Sequence, residues 1–476
     1  MATKKDLVEA HAFSRRRLVT AFVSGAPGGR EVEPVKPGRV LIGGVALSVL
    51  LLAGAAIAGF LLGRPPAGWL DEGSFVISKD TGEQYVVLRG GEDPMLQRVP
   101  NYVSAELLLG QANPTAHTVR DKYIRDVRLG PDLGIDRAPA SLPDPDRLIA
   151  DDWTACTADA TGVQLTLGED LQATEVADAA FLVRSDDKLW LIATQTREDG
   201  APVQSYRFPM PRDGVQADIL ADRLGFPATA QAPVVDASWL NLFQLGPDLD
   251  AAAFGLKDKG QPVPYAEAGS ALQGRLVGDL VRAPGDKWYL LADASPMELT
   301  PFAAALYDTV GVAAVDLDER LDVSRQSQDF PVEWPRSIPA NKPAGSLCAL
   351  LHPGTSAAAP TYVSLGHLPT GEADPTGVDA GRSSVYVQPS GGAYVLAGSS
   401  ALGAEGGTAY VVDSKAQKYA LIGPLVPQYI GYGEVSPPQV PDTWMEFFDP
   451  GVTLSLNDAR RVPEDAADEG SEGEGQ

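Results

Sequence analysis

The side chains that could do chemistry are few and scattered. Of the four histidines, His117, His352 and His367 stand far apart and no H-x-x-x-H pair occurs, so no helical face offers two metal ligands. They read as polar or capping residues. A G-x-x-x-x-G-K-[ST] loop is absent, and so is any Gly-Lys dipeptide. Without that turn there are no backbone N–H groups aimed at phosphates and no lysine to neutralise them. Gly28-Gly29-Arg30 is the nearest glycine-basic run, with no strand before it and no helix start after it. Gly398-Ser399-Ser400 lacks the closing glycine of a nucleophile elbow. Asp316, Asp318 and Asp322 lie close together, but no glycine sits at the turn of a calcium loop and no glutamate closes it. Asp144 and Asp146 alternate with prolines and read as turn chemistry. The sequence therefore presents no catalytic residue, no metal site and no cofactor site.

With chemistry that thin, the elements that would position these residues carry the argument. The 476 residues include 38 basic and 63 acidic side chains, a net charge of −25, with 44% apolar types. That is a globular composition, and its acidic balance excludes nucleic-acid binding by the folded bulk. Gly and Pro, at 49 and 39, favour short strands and turns over a helical bundle. The charge is unevenly placed. Residues 1–39 hold eight basic side chains against four acidic ones, and the remainder carries the whole acidic excess.

Val40 to Leu62 contains 23 residues without a charge. As a helix this run spans about 34 Å, enough for a hydrocarbon core of roughly 30 Å. Ala56-Ile57-Ala58 offers a signal-peptidase site, yet the run is too long for a signal h-region and follows a 39-residue preamble. An uncleaved transmembrane helix is the expectation, with the basic N-terminus in the cytoplasm and the bulk of the chain outside. Ala55, Gly59 and Gly63 recur every four residues, the spacing that lets a second helix approach closely. Residues 3–23 read as a basic helix with Leu7, Phe13, Leu18, Val19 and Phe22 among its apolar positions. That helix could lie on anionic lipid or, through Arg15, Arg16 and Arg17, dock on a cytoplasmic partner.

Beyond Pro65 one pattern returns four times: a strand, a polar turn, then a strand carrying an aromatic. The hairpins run from Phe75-Val76-Ile77 to Tyr85-Val86-Val87-Leu88, from Phe181-Leu182-Val183 to Lys188-Leu189-Trp190, from Leu280-Val281 to Lys287-Trp288-Tyr289, and from Tyr410-Val411-Val412 to Lys418-Tyr419. A proline and a helical stretch follow each. Two copies add a further segment, Trp239 to Phe243 and Trp444 to Phe448, each before a Gly/Pro pair. Lys188, Lys287 and Lys418 are expected to solvate hairpin edges, and Trp190 and Trp288 to be core rather than a glycan platform.

Cys156 and Cys348 fall in the two stretches that do not repeat. Outside the cytoplasm they make one possible pair, closing about 190 residues and worth roughly 5 kcal/mol by loop entropy; two buried thiols are the alternative. The organisation expected is α+β. A cytoplasmic helix and linker (1–39) and a single transmembrane helix (40–62) precede an elongated periplasmic domain, whose four small hairpin-plus-helix repeats (63–127, 175–262, 263–327, 385–462) surround a disulfide-linked central β-rich domain (128–174 and 328–384). A disordered acidic tail (463–476) ends the chain.

Taken together, Ala10-His11-Ala12-Phe13-Ser14-Arg15-Arg16-Arg17, one membrane span, Pro65-Pro66 and Trp69 beyond it, repeated hairpins and two distant cysteines resemble the EccB family. EccB is a core membrane subunit of the actinobacterial type VII (ESX) secretion system. The resemblance covers the chain short of the acidic tail and rests on architecture more than on a compact motif. It implies a single-pass inner-membrane protein whose central part is held by a Cys156–Cys348 disulfide. The partners it implies are EccC, an FtsK/SpoIIIE-type ATPase, together with EccD, EccE and further EccB copies in a hexameric complex. Some members are described as ATP-binding; no nucleotide motif here supports that. Three readings follow: a non-enzymatic scaffold of an export machine, a divergent ATPase, and a membrane-tethered wall-binding protein.

Overall fold

A computed structural model of the chain describes residues 3–24, 37–62, 64–158, 161–168, 173–176, 178–196, 202–267, 269–321, 330–342, 345–356, 360–368, 378–398 and 406–463. The acidic tail and the linker after residue 24 lie outside them. The chain forms two compact units, Met1–Ala67 and Gly68–Gln476.

The first unit consists of α1 (Lys4–Ser24) and α2 (Pro37–Leu62). α1 matches the basic helix read from the sequence. α2 takes in the whole uncharged run over 26 residues. Burial on α2 is described continuously for residues 40–56, and among the described residues no helix is long and apolar enough to cross a membrane.

The second unit starts with a meander of β1 (Phe75–Ser78), β2 (Gln84–Arg89) and β3 (Met95–Val99). Asn101 then caps α3 (Tyr102–Leu109), its side chain accepting from the Ser104 N–H, and Gly110 ends the helix in the left-handed region. The chain returns as β4 (Ala116–Val119), parallel to β1, turns through α4 (Asp121–Ile124), and closes with β5 (Arg128–Leu129), parallel to β3. The sheet order is β4-β1-β2-β3-β5.

Three strands of a different sheet follow: β6 (Trp153–Thr157), β7 (Val163–Leu167) and β8 (Thr174–Glu175). The plan of the first sheet then recurs. β9 (Ala180–Ser185), β10 (Lys188–Thr196) and β11 (Pro202–Pro209) form a meander, and Asp186 and Asp187, at φ 47° and 59°, make the two-residue turn that right-twisted strands favour. After α5 (Gly214–Arg223), capped by Asp213, the chain bridges Val234 to Arg184 of β9 in parallel. It then turns through α6 (Ala237–Leu240) and adds β12 (Gln244–Leu245) beside β11.

A third meander, β13 (Leu280–Ala283), β14 (Lys287–Leu291) and β15 (Pro296–Leu299), leads to α7 (Pro301–Asp308) and to β16 (Val315–Asp316), parallel to β13. Among the described residues no short strand covers the outer edge of β15.

β17 (Leu347–His352), β18 (Tyr362–His367) and β19 (Ser383–Val387) complete the central sheet, in the order β19-β7-β6-β17-β18-β8. Last come β20 (Ala393–Gly398), β21 (Thr408–Val412), β22 (Gln417–Ile422), α8 (Val426–Tyr429), β23 (Gln439–Pro441), α9 (Asp442–Met445), β24 (Asp449–Pro450), β25 (Leu454–Ser455) and α10 (Leu456–Ala459). β23 runs parallel to β20 and β24 parallel to β22, as in the first and second units of this plan.

Two sequence expectations need correction. The hairpin read at Tyr410–Tyr419 is β21–β22, the second hairpin of its meander; the first is β20–β21, hidden because its connection, between Gly398 and Thr408, is long and glycine-rich. The segment after the helix is carried by three copies, not two. Tyr123 of α4 holds the place of Trp239 in α6 and Trp444 in α9. Leu129-Gly130-Pro131-Asp132-Leu133 repeats residue for residue as Leu245-Gly246-Pro247-Asp248-Leu249, the signal that could have found it.

The meander sheets dock in a definite order. α3 of the first packs with the fourth through Val103, Leu107, Ile430, Tyr432 and Leu454. The fourth and the second both pack on the central sheet, and the second packs with the third through Leu220, Phe208, Phe302 and Leu290. The helices do the joining at both outer junctions because their exposed stripes are apolar and a single small sheet cannot bury them.

Candidate functional site

The centre of the second unit is the strand pair β6–β17. Cys156 and Cys348 are direct partners in its register, with Cα atoms 4.1 Å apart, and they form a disulfide across a sequence separation of 192 residues. Both are fully buried against Leu368, Ala173 and Leu350. The bridge therefore encloses the whole of the second and third meanders, so those two folded bodies are an insertion between neighbouring strands.

Alternation along β6 sends Trp153 and Ala155 to one face of the sheet and Thr154 and Cys156 to the other. The Trp153 face receives the aromatic turns. Trp239 Nε1 donates to the Ala155 carbonyl at 2.9 Å, and Phe448 meets Trp153 edge-on with centroids 5.6 Å apart. Trp239 and Trp444 are both fully buried there. Two copies of one element thus bolt two meanders onto a common sheet.

Each bolt is held by a cation from the third strand of its own meander. Arg207 of β11 donates to Asn241, the residue that ends α6, and Lys418 of β22 donates to the Met445 carbonyl at the end of α9, at 2.6 Å. Lys418 puts a cation on a carbonyl at a helix C-terminus, where the helix dipole favours one, whereas Arg207 reaches the side-chain oxygen of Asn241. Lys418 is thus half-buried and structural, which corrects its reading as an edge-solvating residue. Lys287 instead pairs with Glu298, and Lys188 is exposed.

The glycine after each bolt has a steric reason. A Cβ on Gly246 would lie 2.3 Å from the Phe208 ring, and one on Gly451 would lie 2.5 Å from the Tyr419 ring. The aromatic of the third strand lies over the backbone, and only hydrogen fits beneath it.

Trp190 and Trp288 do not present open faces. Arg207 lies over Trp190 at 5.5 Å and Arg282 over Trp288 at 5.6 Å, occupying the faces a sugar would need.

The histidines do not converge. His117 lies on β4, His352 and His367 at opposite ends of the β17–β18 pair, and among the described residues no three potential ligands gather. His352 is stacked on Tyr362, with Ser364 Oγ 2.8 Å from Nε2 and Glu175 Oε1 3.9 Å from the same nitrogen. A general base needs its nucleophile on one ring nitrogen and its orienting carboxylate on the other, and Ser364 is 2% exposed. This trio therefore builds no catalytic triad. Burial lowers the His352 pKa, while Glu175, Asp152 and Asp151 push against it. Asp316 lies on β16 and Asp318 beside it, whereas Asp322 lies outside the described residues.

In the first unit, successive residues of α1 turn by about 100°. Arg15 falls on one exposed stripe with His11, Ser14, Leu18, Val19 and Phe22, while Arg16 and Arg17 point elsewhere. The three arginines form no single patch. Leu18 and Phe22 on that stripe are 67% and 90% exposed. On α2, Ala55 is exposed; Gly63, and the surroundings of Gly59, lie outside the described residues.

What the fold and its centre define is a scaffold of docked β-units built around one cross-linked sheet. Residues 1–467 match the family described as type VII secretion system ESX-1, transport TM domain B, and the chain belongs to that family. Its fold is shared with a chain of an intact ESX-5 inner membrane complex, at 19% identity and a TM-score of 0.57, over 97% of this chain and 95% of that one. It is also shared with a chain of the EccB3 dimer from the ESX-3 core complex, at 22% identity and a TM-score of 0.60, over 81% of this chain and 99% of that one. A chain of the periplasmic assembly of the ESX-5 inner membrane complex matches at 19% identity, with a TM-score of 0.54 over 83% and 97%.

Proposed function

We propose that this protein is a structural core subunit of a type VII secretion membrane complex, holding its assembly together rather than supplying energy. The observation that carries this is the central sheet: it has a buried disulfide on one face, two aromatic bolts on the other hold the second and fourth meanders on it, and those two carry the first and third. Rigid docking of that kind suits a part whose task is to keep neighbours in register. Family membership over residues 1–467 supports the same reading.

In this reading α2 is the single membrane span, its uncharged run being of bilayer length. The excess of basic residues before it places the N-terminus in the cytoplasm, with the disulfide-bearing unit in the oxidising compartment outside. The four meanders descend from one duplicated unit, with the central sheet between them, β5 going with the first meander and β19 with the central sheet. Ala55, Gly59 and Gly63 form the face on which another helix packs. α1, with Arg15 on its apolar stripe, contacts anionic lipid or a cytoplasmic subunit. The partners are an EccC-type ATPase, EccD, EccE and further EccB copies, and transport energy comes from that ATPase.

Extraction of the full-length protein from native membranes in mild detergent tests this. Recovery in a large assembly with an FtsK-type ATPase is the expected result. Recovery of the chain alone, with those partners expressed, overturns it and favours the wall-binding or enzymatic reading.

A further inference from the structure

Each outer junction joins a helix of one meander to a helix of another, and the two differ in their charges. Between the second and third meanders, Arg223 of α5 pairs with Asp308 of α7 at 2.9 Å on a partly exposed rim. Between the first and fourth, α3 brings Glu106, which is 5% exposed. Its Oε1 accepts one hydrogen bond, from the Asn113 N–H at 3.0 Å, and among the described residues no cation pairs with it.

The groups packed around Glu106 are mostly apolar or phenolic. On α3 its neighbours are Val103, Leu107 and, one turn back, Tyr102. β2 and β3 offer Val86, Leu88 and Val99 to the helix. α8 brings Tyr429, whose ring lies 3.4 Å from where a Gly110 Cβ would be. Tyr432, after α8, donates to the Pro143 carbonyl at 2.6 Å, and burial first, then Glu106 and Asp144, disfavour its ionisation. On α10, Asp458 pairs with Arg461 at 3.1 Å and accepts from Ser455, and Arg460 is exposed.

We propose that the junction between the first and fourth meanders is a proton-controlled clasp with Glu106 as its sensor. A protonated Glu106 lets α3 lie against the fourth meander. Its carboxylate, desolvated and without a cation, weakens that contact. Burial pushes the Glu106 carboxyl up to about 7, which puts the change near neutrality. The acid form favours closure, so the clasp tightens as pH falls from about 7 toward the ordinary carboxylate range. The second–third junction has a compensated ion pair and stays closed across the same interval.

Hydrogen exchange of the full-length protein in detergent micelles, read by mass spectrometry at about pH 6 and about pH 8 and corrected for intrinsic rates, tests the clasp. Protection of the α3 and α8 peptides should fall by up to about tenfold at the higher pH, while the α5 and α7 peptides hold theirs. Glu106→Gln, neutral at both values, should keep α3 protected throughout. Equal wild-type protection at the two values overturns the proposal without any variant. A pH-dependent loss that persists in Glu106→Gln overturns it too.

Discussion

Trp239 donates from Nε1 to the carbonyl of Ala155, 84 residues away in sequence, and so ties the second meander to a strand of the central sheet. The equivalent Trp444 of the fourth meander is as deeply buried, but its indole N–H meets no partner among the described residues. One element used twice has therefore settled differently at its two sites.

That difference can be measured. Trp239→Phe removes ring volume and a hydrogen bond to the Ala155 carbonyl, whereas Trp444→Phe removes volume together with a buried N–H that has no partner among the described residues. Urea unfolding of the detergent-solubilised protein should show Trp239→Phe to be the costlier change, by about 1 kcal/mol. Equal losses would mean that the hydrogen bond adds nothing net.

The Cys156–Cys348 bridge gives a second expectation. Peptide mapping without reductant should recover the two segments cross-linked. Replacing both cysteines by alanine should cost about 2–5 kcal/mol, the upper end set by loop entropy across 192 residues. Because β6 and β17 are paired by backbone as well as by sulfur, the reduced protein should retain its strand content by circular dichroism while unfolding at lower urea.

Gly246 supplies a steric test. Gly246→Ala places a methyl 2.3 Å from the Phe208 ring and should destabilise by about 1–3 kcal/mol. Gly214→Ala, in the first turn of α5 with nothing within 4 Å of the new methyl, should be neutral or stabilising by up to about 1 kcal/mol. Thermal unfolding of the two variants side by side separates crowding from a general intolerance of substitution.

His352 should titrate below its ordinary value of 6.5, because burial disfavours the imidazolium. Its folded pKa is depressed, so the stability it contributes is present above about pH 6.5 and is lost as pH falls through the folded value. Glu175→Gln removes a carboxylate that opposes the shift and should lower the value further. Histidine ring resonances followed by NMR report both, and a His352 that titrates at or above 6.5 contradicts the burial argument.

On α1, the shared stripe of Arg15, Leu18 and Phe22 predicts an order of effects. Arg15→Glu should weaken recovery of the assembly from membranes more than Arg17→Glu, which changes charge equally on a different face. Equal losses would point to overall charge, and thus to lipid attraction, in place of a docked face.

Much of this protein was legible along the chain because it is written in local patterns. The uncharged run from Val40 to Leu62 specifies a long helix by composition alone. Paired strands around Asp186-Asp187 and Pro284-Gly285-Asp286 specify their hairpins, since turn chemistry and period-two alternation act over a few residues. Two cysteines in an exported segment left one pairing to consider. What the sequence could not disclose depends on which distant surfaces meet. That Trp239 and Phe448 converge on one sheet, that Lys418 ends α9 instead of facing water, and that Glu106 lies without a cation between two meanders are outcomes of docking. Docking is set by the shapes of apolar faces assembled from separate segments, so no local pattern carries it. The insertion of two meanders between β6 and β17 is the clearest case, because strand pairing across 192 residues follows from the assembled sheet and not from either strand.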